Sequence, residues 1–224
     1  PVVPELERVN QILTDEAVSE YDLLATCLRP LLAPTGKRLR PAIVLLAAKF
    51  NDYDLDRLLP YAAGVELLHT ATLIHDDLVD HSPVRRGKPT LNSVLGSDAT
   101  VLVGDYLFAR SAVFATEPQN VRAGSLFAKA LQIICGGELS QLFRSSGDNH
   151  SEAYYFNKIE SKTASLFRLA AQGGAVLSRA PMAEEAALAQ YGLGLGMSFQ
   201  IVDDILDIVG DESQLGKPVG GDLR

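Results

Sequence analysis

Two acidic pentads constrain this chain more than anything else in it: Asp76-Asp77-Leu78-Val79-Asp80 and Asp203-Asp204-Ile205-Leu206-Asp207. In a helix each residue advances about 100°, so Asp76 and Asp80 project about 40° apart on one face, with Asp77 about a quarter-turn round. Like charges this close repel by about 1 kcal/mol per pair in water at about 4 Å, and by more where water is partly excluded. The flanks Leu73, Ile74, Leu78 and Val79, and Ile201, Val202, Ile205 and Leu206, are apolar, so both helices are expected to be buried along much of their circumference. Acids in that setting need cations. A single pentad reads equally well as a solvated helix face. A pair of them favours two metal-binding walls, one of Asp76, Asp77 and Asp80 and one of Asp203, Asp204 and Asp207. Carboxylate oxygens without a His or Cys cluster favour Mg²⁺ over Zn²⁺, and Mg²⁺ keeps waters and shares its coordination with substrate phosphates. The expected substrate class is therefore diphosphates.

The rest of the composition is that of an ordinary globular chain: 224 residues, 47% hydrophobic and 21% charged. A formal charge of −8 argues against nucleic acid as a partner, because phosphate-backbone affinity comes from Lys and Arg. Cys27 and Cys135 are the only cysteines; they form no disulfide framework and suit a reducing compartment. The longest apolar run, residues 42–48, stops at Lys49, far short of the roughly 18 residues of a membrane span, and no signal peptide is visible. The chain starts at Pro1 without Met and stops at Arg224 after GKPVGGDL, so residues 1–224 are expected to be one domain trimmed at both ends.

Taken in order, residues 5–28 suit a helix ended before Pro30 and Pro34. Gly36-Lys37-Arg38-Leu39-Arg40-Pro41 is a basic knot leading into an apolar helix, and helix N-terminal N–H groups can add to its charge to bind an anion; a solvated basic turn is the plainer reading. Residues 56–80 read as one long helix in which His69 stands seven residues before Asp76 and so faces the acidic wall, whereas His75 lies off that face and reads as structural. Pro83, Gly87 and Pro89 break the helix, and Arg85, Arg86 and Lys88 follow the carboxylates directly. Helices are expected over 98–115, 120–143, 151–178 and 183–209, with a polar break at 145–150. Lys162-Thr163 lies mid-helix, Gln200 one turn before the second pentad, and Lys217 in the loop after it. Gly192, Gly194 and Gly196 suggest close helix packing, since no strand precedes them to make a phosphate loop. No alternating strand pattern occurs, and the expected fold is all-α, a single-domain helical bundle around a large central cavity.

GKRLRP at 36–41, HTATLIHDDLVDHSPVRRGKPT at 69–90, KTASL at 162–166, FQIVDDILD at 199–207 and GKPVGGDL at 216–223 together resemble the trans-type polyprenyl diphosphate synthases, in family order and over nearly the whole chain. The resemblance implies the isoprenoid-synthase type of bundle and Mg²⁺ as cofactor, three ions with diphosphate bound. It implies that Asp76, Asp80 and Asp203 bind metal directly, with Asp77, Asp204 and Asp207 as further or indirect ligands. It implies that Lys37, Arg40, His69 and Arg86 hold isopentenyl diphosphate, while Arg85, Lys162, Thr163, Gln200 and Lys217 serve the allylic diphosphate, farnesyl or geranylgeranyl. It further implies a homodimer; the two cysteines and the lack of a signal peptide suit the cytoplasm, and an apolar product that has to leave suggests transient membrane contact. Two departures stand out: Thr35 replaces the first of the two glycines usual before Lys-Arg, and the chain ends before the Lys that usually follows GGDLR.

Ala71 and Thr72 lie five and four residues before Asp76, roughly 6 to 7.5 Å along a helix at about 1.5 Å per residue. Both are small, so a growing tail is expected to pass Ala71 and run along Leu68 toward a long-chain product, hexaprenyl to decaprenyl. Two other functions share parts of this pattern. A class I terpene cyclase would use the same metal chemistry on one allylic diphosphate, and a non-catalytic or regulatory subunit of a heteromeric prenyl synthase would be expected to lose acids that are intact here.

Overall fold

The computed structural model describes residues 1–18, 21–34, 36–85, 87–143 and 151–209. The path runs α1 (Val3–Glu16), α2 (Asp22–Leu32), α3 (Leu39–Ala48), α4 (Leu55–Val79), a two-stranded hairpin β1 (Val84–Arg85) and β2 (Lys88–Pro89), α5 (Leu91–Leu95), α6 (Ser97–Thr116), α7 (Val121–Leu142), α8 (Glu152–Ile159), a π-helical turn (Glu160–Ala164), α9 (Ser165–Leu177) and α10 (Met182–Val209). The expected all-α bundle is what forms.

Helix α4 is its centre. Every residue from Leu58 to Leu68 is buried, because α1, α3, α6 and α9 all pack around it. Burying leucines such as Leu58, Leu67 and Leu68, each fully enclosed, contributes about 1.5–3 kcal/mol apiece relative to leaving them exposed. The helix starts cleanly because the Asp54 side chain accepts the Asp56 N–H at 3.1 Å. Asn120 caps α7 in the same way, accepting from Arg122 and Ala123 at 3.0 Å each. Both satisfy N–H groups that a helix start leaves unpaired.

Four expectations need correction. The N-terminal helix is two helices, and Pro30 lies inside α2 rather than beyond its end. Pro30 and Thr26, whose carbonyl loses its partner, both sit on the exposed face, where water replaces the missing bond. The breaker-rich segment after the first pentad is ordered as the hairpin and α5, with Thr90 tying the strands to the turn through Ser82 O at 2.7 Å. The helix expected over 151–178 is interrupted by the π-turn, described below. Finally, the pentad flanks are only partly enclosed: beside the second pentad Val202, Ile205 and Leu206 are 54%, 52% and 40% exposed, and beside the first Ile74 is buried but Val79 is 53% exposed. Helix α4 is central and α10 is peripheral, and periodicity alone does not distinguish the two.

Helix α10 lies close on α9 because of two of its glycines. A Cβ on Gly192 would come 2.6 Å from Phe167 O, and one on Gly196 would come 2.5 Å from Ala164 Cα. Gly194, expected to share this role, faces open space.

Candidate functional site

The first acidic wall ends α4. Asp76 is half-buried, Asp80 exposed at the helix C-cap, and Asp77 buried. The turn at 80–83 reverses the chain, with Ser82 N donating to Asp77 O at 3.0 Å. The hairpin then brings Arg85 back onto Asp77, whose Oδ1 accepts from Arg85 Nε at 2.7 Å. Two residues expected at the metal and at the allylic substrate are thus paired with each other. Asp76 and Asp80 remain on the open face.

Lys162 approaches Asp76 from the π-turn. Its Nζ lies 3.4 Å from Asp76 Oδ2 and 3.2 Å from Glu138 Oε1 on α7. Burial pushes the Asp76 carboxyl above the usual carboxylate range; Lys162 pulls it back and Glu138 pushes it further up. Burial also pulls on the Lys162 ammonium, but Asp76 and Glu138 outweigh it and hold the ammonium above its usual value. The carboxylates thus keep Lys162 charged in a partly dry site. A cleft of about 370 Å³ opens beside it between α7 and α8, lined among others by Gly137, Glu138, Gln141, Tyr154 and Lys158.

The next residue points to the second wall. Thr163 Oγ1 donates to Gln200 Oε1 at 2.7 Å, Gln200 Nε2 donates to Asp204 Oδ1 at 2.8 Å, and Tyr155 on α8 donates to Asp204 Oδ2 at 2.7 Å. Both oxygens of Asp204 are therefore engaged by neutral donors. Asp203 is exposed, and Asp207 is 2% exposed. One π-turn, the kind of single-turn bulge that recurs at functional sites, meets both acidic helices.

The basic knot divides. Lys37 is exposed. Arg38, held at φ 46° and ψ 46°, turns inward: Nη1 donates to Glu66 Oε1 at 2.8 Å, Nε to Asn10 Oδ1 at 2.9 Å, and Nη2 to the Ala33 and Leu32 carbonyls at 2.7 and 3.3 Å. Arg40 lies over the Phe167 ring at 4.8 Å, and its buried Nε has no hydrogen-bond partner among the described residues. Burial lowers its guanidinium to about 10, opposed by Glu66. A buried donor without a partner fits a ligand acceptor, and a diphosphate oxygen is of the right chemistry. His69 is half-buried on α4, and its carbonyl accepts from Thr72 Oγ1 at 2.7 Å. Ala71 and Leu68 are fully enclosed in the core. Arg86, Lys217 and Thr35 lie outside the described residues.

The structure adds Glu138, Tyr155 and a structural Arg38 to what the motifs suggest. Glu138 is brought to the site because Gly137 beside it admits the Ser161 side chain, so that α7 and the π-turn touch. Tyr155 carries no sequence signal, being one of two adjacent tyrosines. Among the described residues no trio of His, Cys, Asp or Glu closes on a metal. All-carboxylate walls of this kind fit a hard cation that completes its coordination with water and substrate phosphate.

The family model described as polyprenyl synthetase matches residues 21–224. The chain is 42% identical over 219 residues to heptaprenyl diphosphate synthase component 2 of Geobacillus stearothermophilus, covering 98% of this chain and 68% of that protein. It is 38% identical over 220 residues to octaprenyl diphosphate synthase of Escherichia coli (strain K12), covering 98% and 68%. It matches the crystal structure of a polyprenyl synthase from Caulobacter crescentus CB15, complexed with calcium and isoprenyl diphosphate, with TM-score 0.92 at 41% identity, over 100% of this chain and 68% of that one.

Proposed function

The chain belongs to the polyprenyl synthetase family and is a prenyltransferase; from that premise we propose that it condenses isopentenyl diphosphate head-to-tail with farnesyl or geranylgeranyl diphosphate to build a long-chain all-trans polyprenyl diphosphate. The observation that carries this reading is the π-turn, from which Lys162 reaches the first acidic helix and Thr163 the second. A charged ammonium between Asp76 of the first wall and Glu138 of α7 suits a departing diphosphate better than it suits general acid–base chemistry.

Asp76, Asp80 and Asp203 would hold Mg²⁺, with Asp77, Asp204 and Asp207 shaping the walls behind them. When bound, the metal supplies positive charge to the leaving diphosphate. The side chains then act by electrostatic preorganisation. Lys162, Arg85 and Lys217 neutralise the allylic diphosphate as its C–O bond breaks, Thr163 and Gln200 orient it, and Lys37, Arg40, His69 and Arg86 hold the second diphosphate. The double bond of isopentenyl diphosphate attacks the allylic carbocation, a new C–C bond forms, and a proton leaves to the released pyrophosphate. No protein nucleophile enters. Product length is set below Asp76, where Ala71, Thr72 and Leu68 meet the growing tail.

A homodimer acting in the cytoplasm, with transient membrane contact for product release, completes the reading; no helix among the described residues is long and apolar enough to cross a membrane. The similarity to a protein named component 2 favours one second reading, a subunit that needs a different partner. The test is incubation with Mg²⁺, labelled isopentenyl diphosphate and farnesyl diphosphate, then chain-length analysis of the dephosphorylated products. A ladder passing six isoprene units is expected. Cyclised hydrocarbon would replace this reading with a cyclase, and turnover only after adding a second protein would replace it with the partner subunit.

A further inference from the structure

Asp204 sits beside the exposed Asp203, yet both of its own oxygens are engaged, Oδ1 by Gln200 at 2.8 Å and Oδ2 by Tyr155 at 2.7 Å. Hydrogen bonds from neutral donors to a carboxylate are short and strong. They turn the Asp204 carboxyl toward α8 and the π-turn. The network has a second end, because Gln200 also accepts from Thr163. Three parts of the chain, α8, the π-turn and α10, are thus joined through one carboxylate. Gly192 and Gly196 seat α10 on α9 and the π-turn, and the polar clamp ties the turn that carries the second pentad to α8. Since successive helical residues lie about 100° apart, fixing Asp204 also fixes where Asp203 points.

We propose that Tyr155 is a positioning residue for the second acidic wall: its hydroxyl holds Asp204 and thereby aims Asp203 at the diphosphate held by Lys162. This rests on the prenyl-transfer reading above. Tyr155 touches neither substrate nor metal and acts through Asp204. Removing one oxygen, Tyr155→Phe, keeps the ring against Phe156, with which it stacks edge-on at 5.5 Å.

The probe is Mn²⁺ with inorganic pyrophosphate, titrated into the protein and followed by electron paramagnetic resonance. Tyr155→Phe is expected to weaken Mn²⁺ binding by about tenfold, as loss of an orienting partner behind a metal ligand does. Binding of isopentenyl diphosphate without metal, measured by calorimetry, is expected to stay unchanged, and the melting temperature to move by no more than a few degrees, about what losing one hydrogen bond costs. Asp204→Asn should weaken Mn²⁺ binding to a similar degree, and the double variant should be no worse than either alone, since the two residues act through one contact. Unchanged Mn²⁺ binding in Tyr155→Phe overturns the proposal. So does a parallel loss of metal binding, isopentenyl diphosphate binding and stability, which marks a residue that only supports the fold. Additive effects would overturn it as well, by making Asp204 a ligand in its own right. If the wild-type protein failed to incorporate isopentenyl diphosphate, the prenyl-transfer reading would fall while the Mn²⁺ titration still reported on the clamp.

Discussion

Replacing Arg38 by Ala should unfold this protein far more readily while leaving its substrate affinity alone, and replacing Lys37 should do the reverse. The Arg38 and Glu66 side chains are 7% and 11% exposed and meet at 2.8 Å, so water screens the pair little. Removing Arg38 leaves the Glu66 carboxylate buried on the central helix without its hydrogen-bonded partner, with the Arg40 guanidinium offsetting part of its charge, a loss of about 3 kcal/mol, the low end for a broken buried pair. The released Ala33, Leu32 and Asn10 acceptors overlap with that figure rather than adding to it. Against a total stability of about 5–15 kcal/mol, the shift is large. Urea denaturation followed by circular dichroism reads it as a lower midpoint at unchanged slope. Steady-state kinetics on the folded variant should give a KM for isopentenyl diphosphate close to wild type. Lys37→Ala, at an exposed position, should leave the midpoint in place and raise that KM about tenfold, the loss of one charge-assisted contact. An Arg38→Ala loss under about 1 kcal/mol, below the buried-pair range, or a KM rise equal to that of Lys37→Ala, would refute the division of labour. The paired variant Arg38→Met/Glu66→Leu should recover only part of the stability, because it removes the buried pair together but also takes away the carboxylate that offsets the buried Arg40 guanidinium.

Three further outcomes are expected. Asp76→Asn should raise the melting temperature of the metal-free protein while abolishing turnover: the folded carboxyl lies above its ordinary value mainly through burial, so ionising it opposes folding, and the gain over wild type should fade as the pH falls through the folded value and wild-type Asp76 itself becomes neutral. Gly196→Ala should cost about 1–3 kcal/mol by overpacking and lower activity, since its methyl meets Ala164; Gly194→Ala, facing open space, should be neutral or stabilising in the same denaturation assay. Ala71→Phe should shorten the product on chain-length analysis and, because Ala71 is fully enclosed, cost about 1–3 kcal/mol as well; an unchanged product length would show that the tail does not pass this residue.

Much of the site was legible because its chemistry is local. Asp76, Asp80 and the sequence of basic motifs can be read from spacing, and α4 announces itself by length and apolar content. The rest depends on neighbours that spacing cannot supply. Lys37, Arg38 and Arg40 read as one knot, and only the left-handed backbone at Arg38 turns the middle cation inward. Asp77 and Arg85 both read as site residues, and the hairpin decides that they meet each other. Ile74 and Ile205 both read as buried flanks of a pentad, yet the first is enclosed and the second is exposed. Pro30 reads as a stop because a proline cannot donate, but the carbonyl it strands on α2 faces water. Glu138 and Tyr155 carry no motif, because what brings them to the site is a contact with a residue distant in sequence, Lys162 for one and Asp204 for the other.

The π-turn between α8 and α9 constrains sequence length more tightly than sequence identity. It inserts one residue into an otherwise continuous helical path, and each inserted residue rotates everything before it by about 100° relative to everything after it. Tyr155 before the turn and Thr163 within it reach the same Gln200–Asp204 pair only with that rotation in place. Exposed Glu160 should therefore accept many substitutions, but deleting any one residue from 160–164 should regularise the helix and misalign both acidic walls together. An alignment of functional variants of this chain should allow no gap between positions 155 and 163.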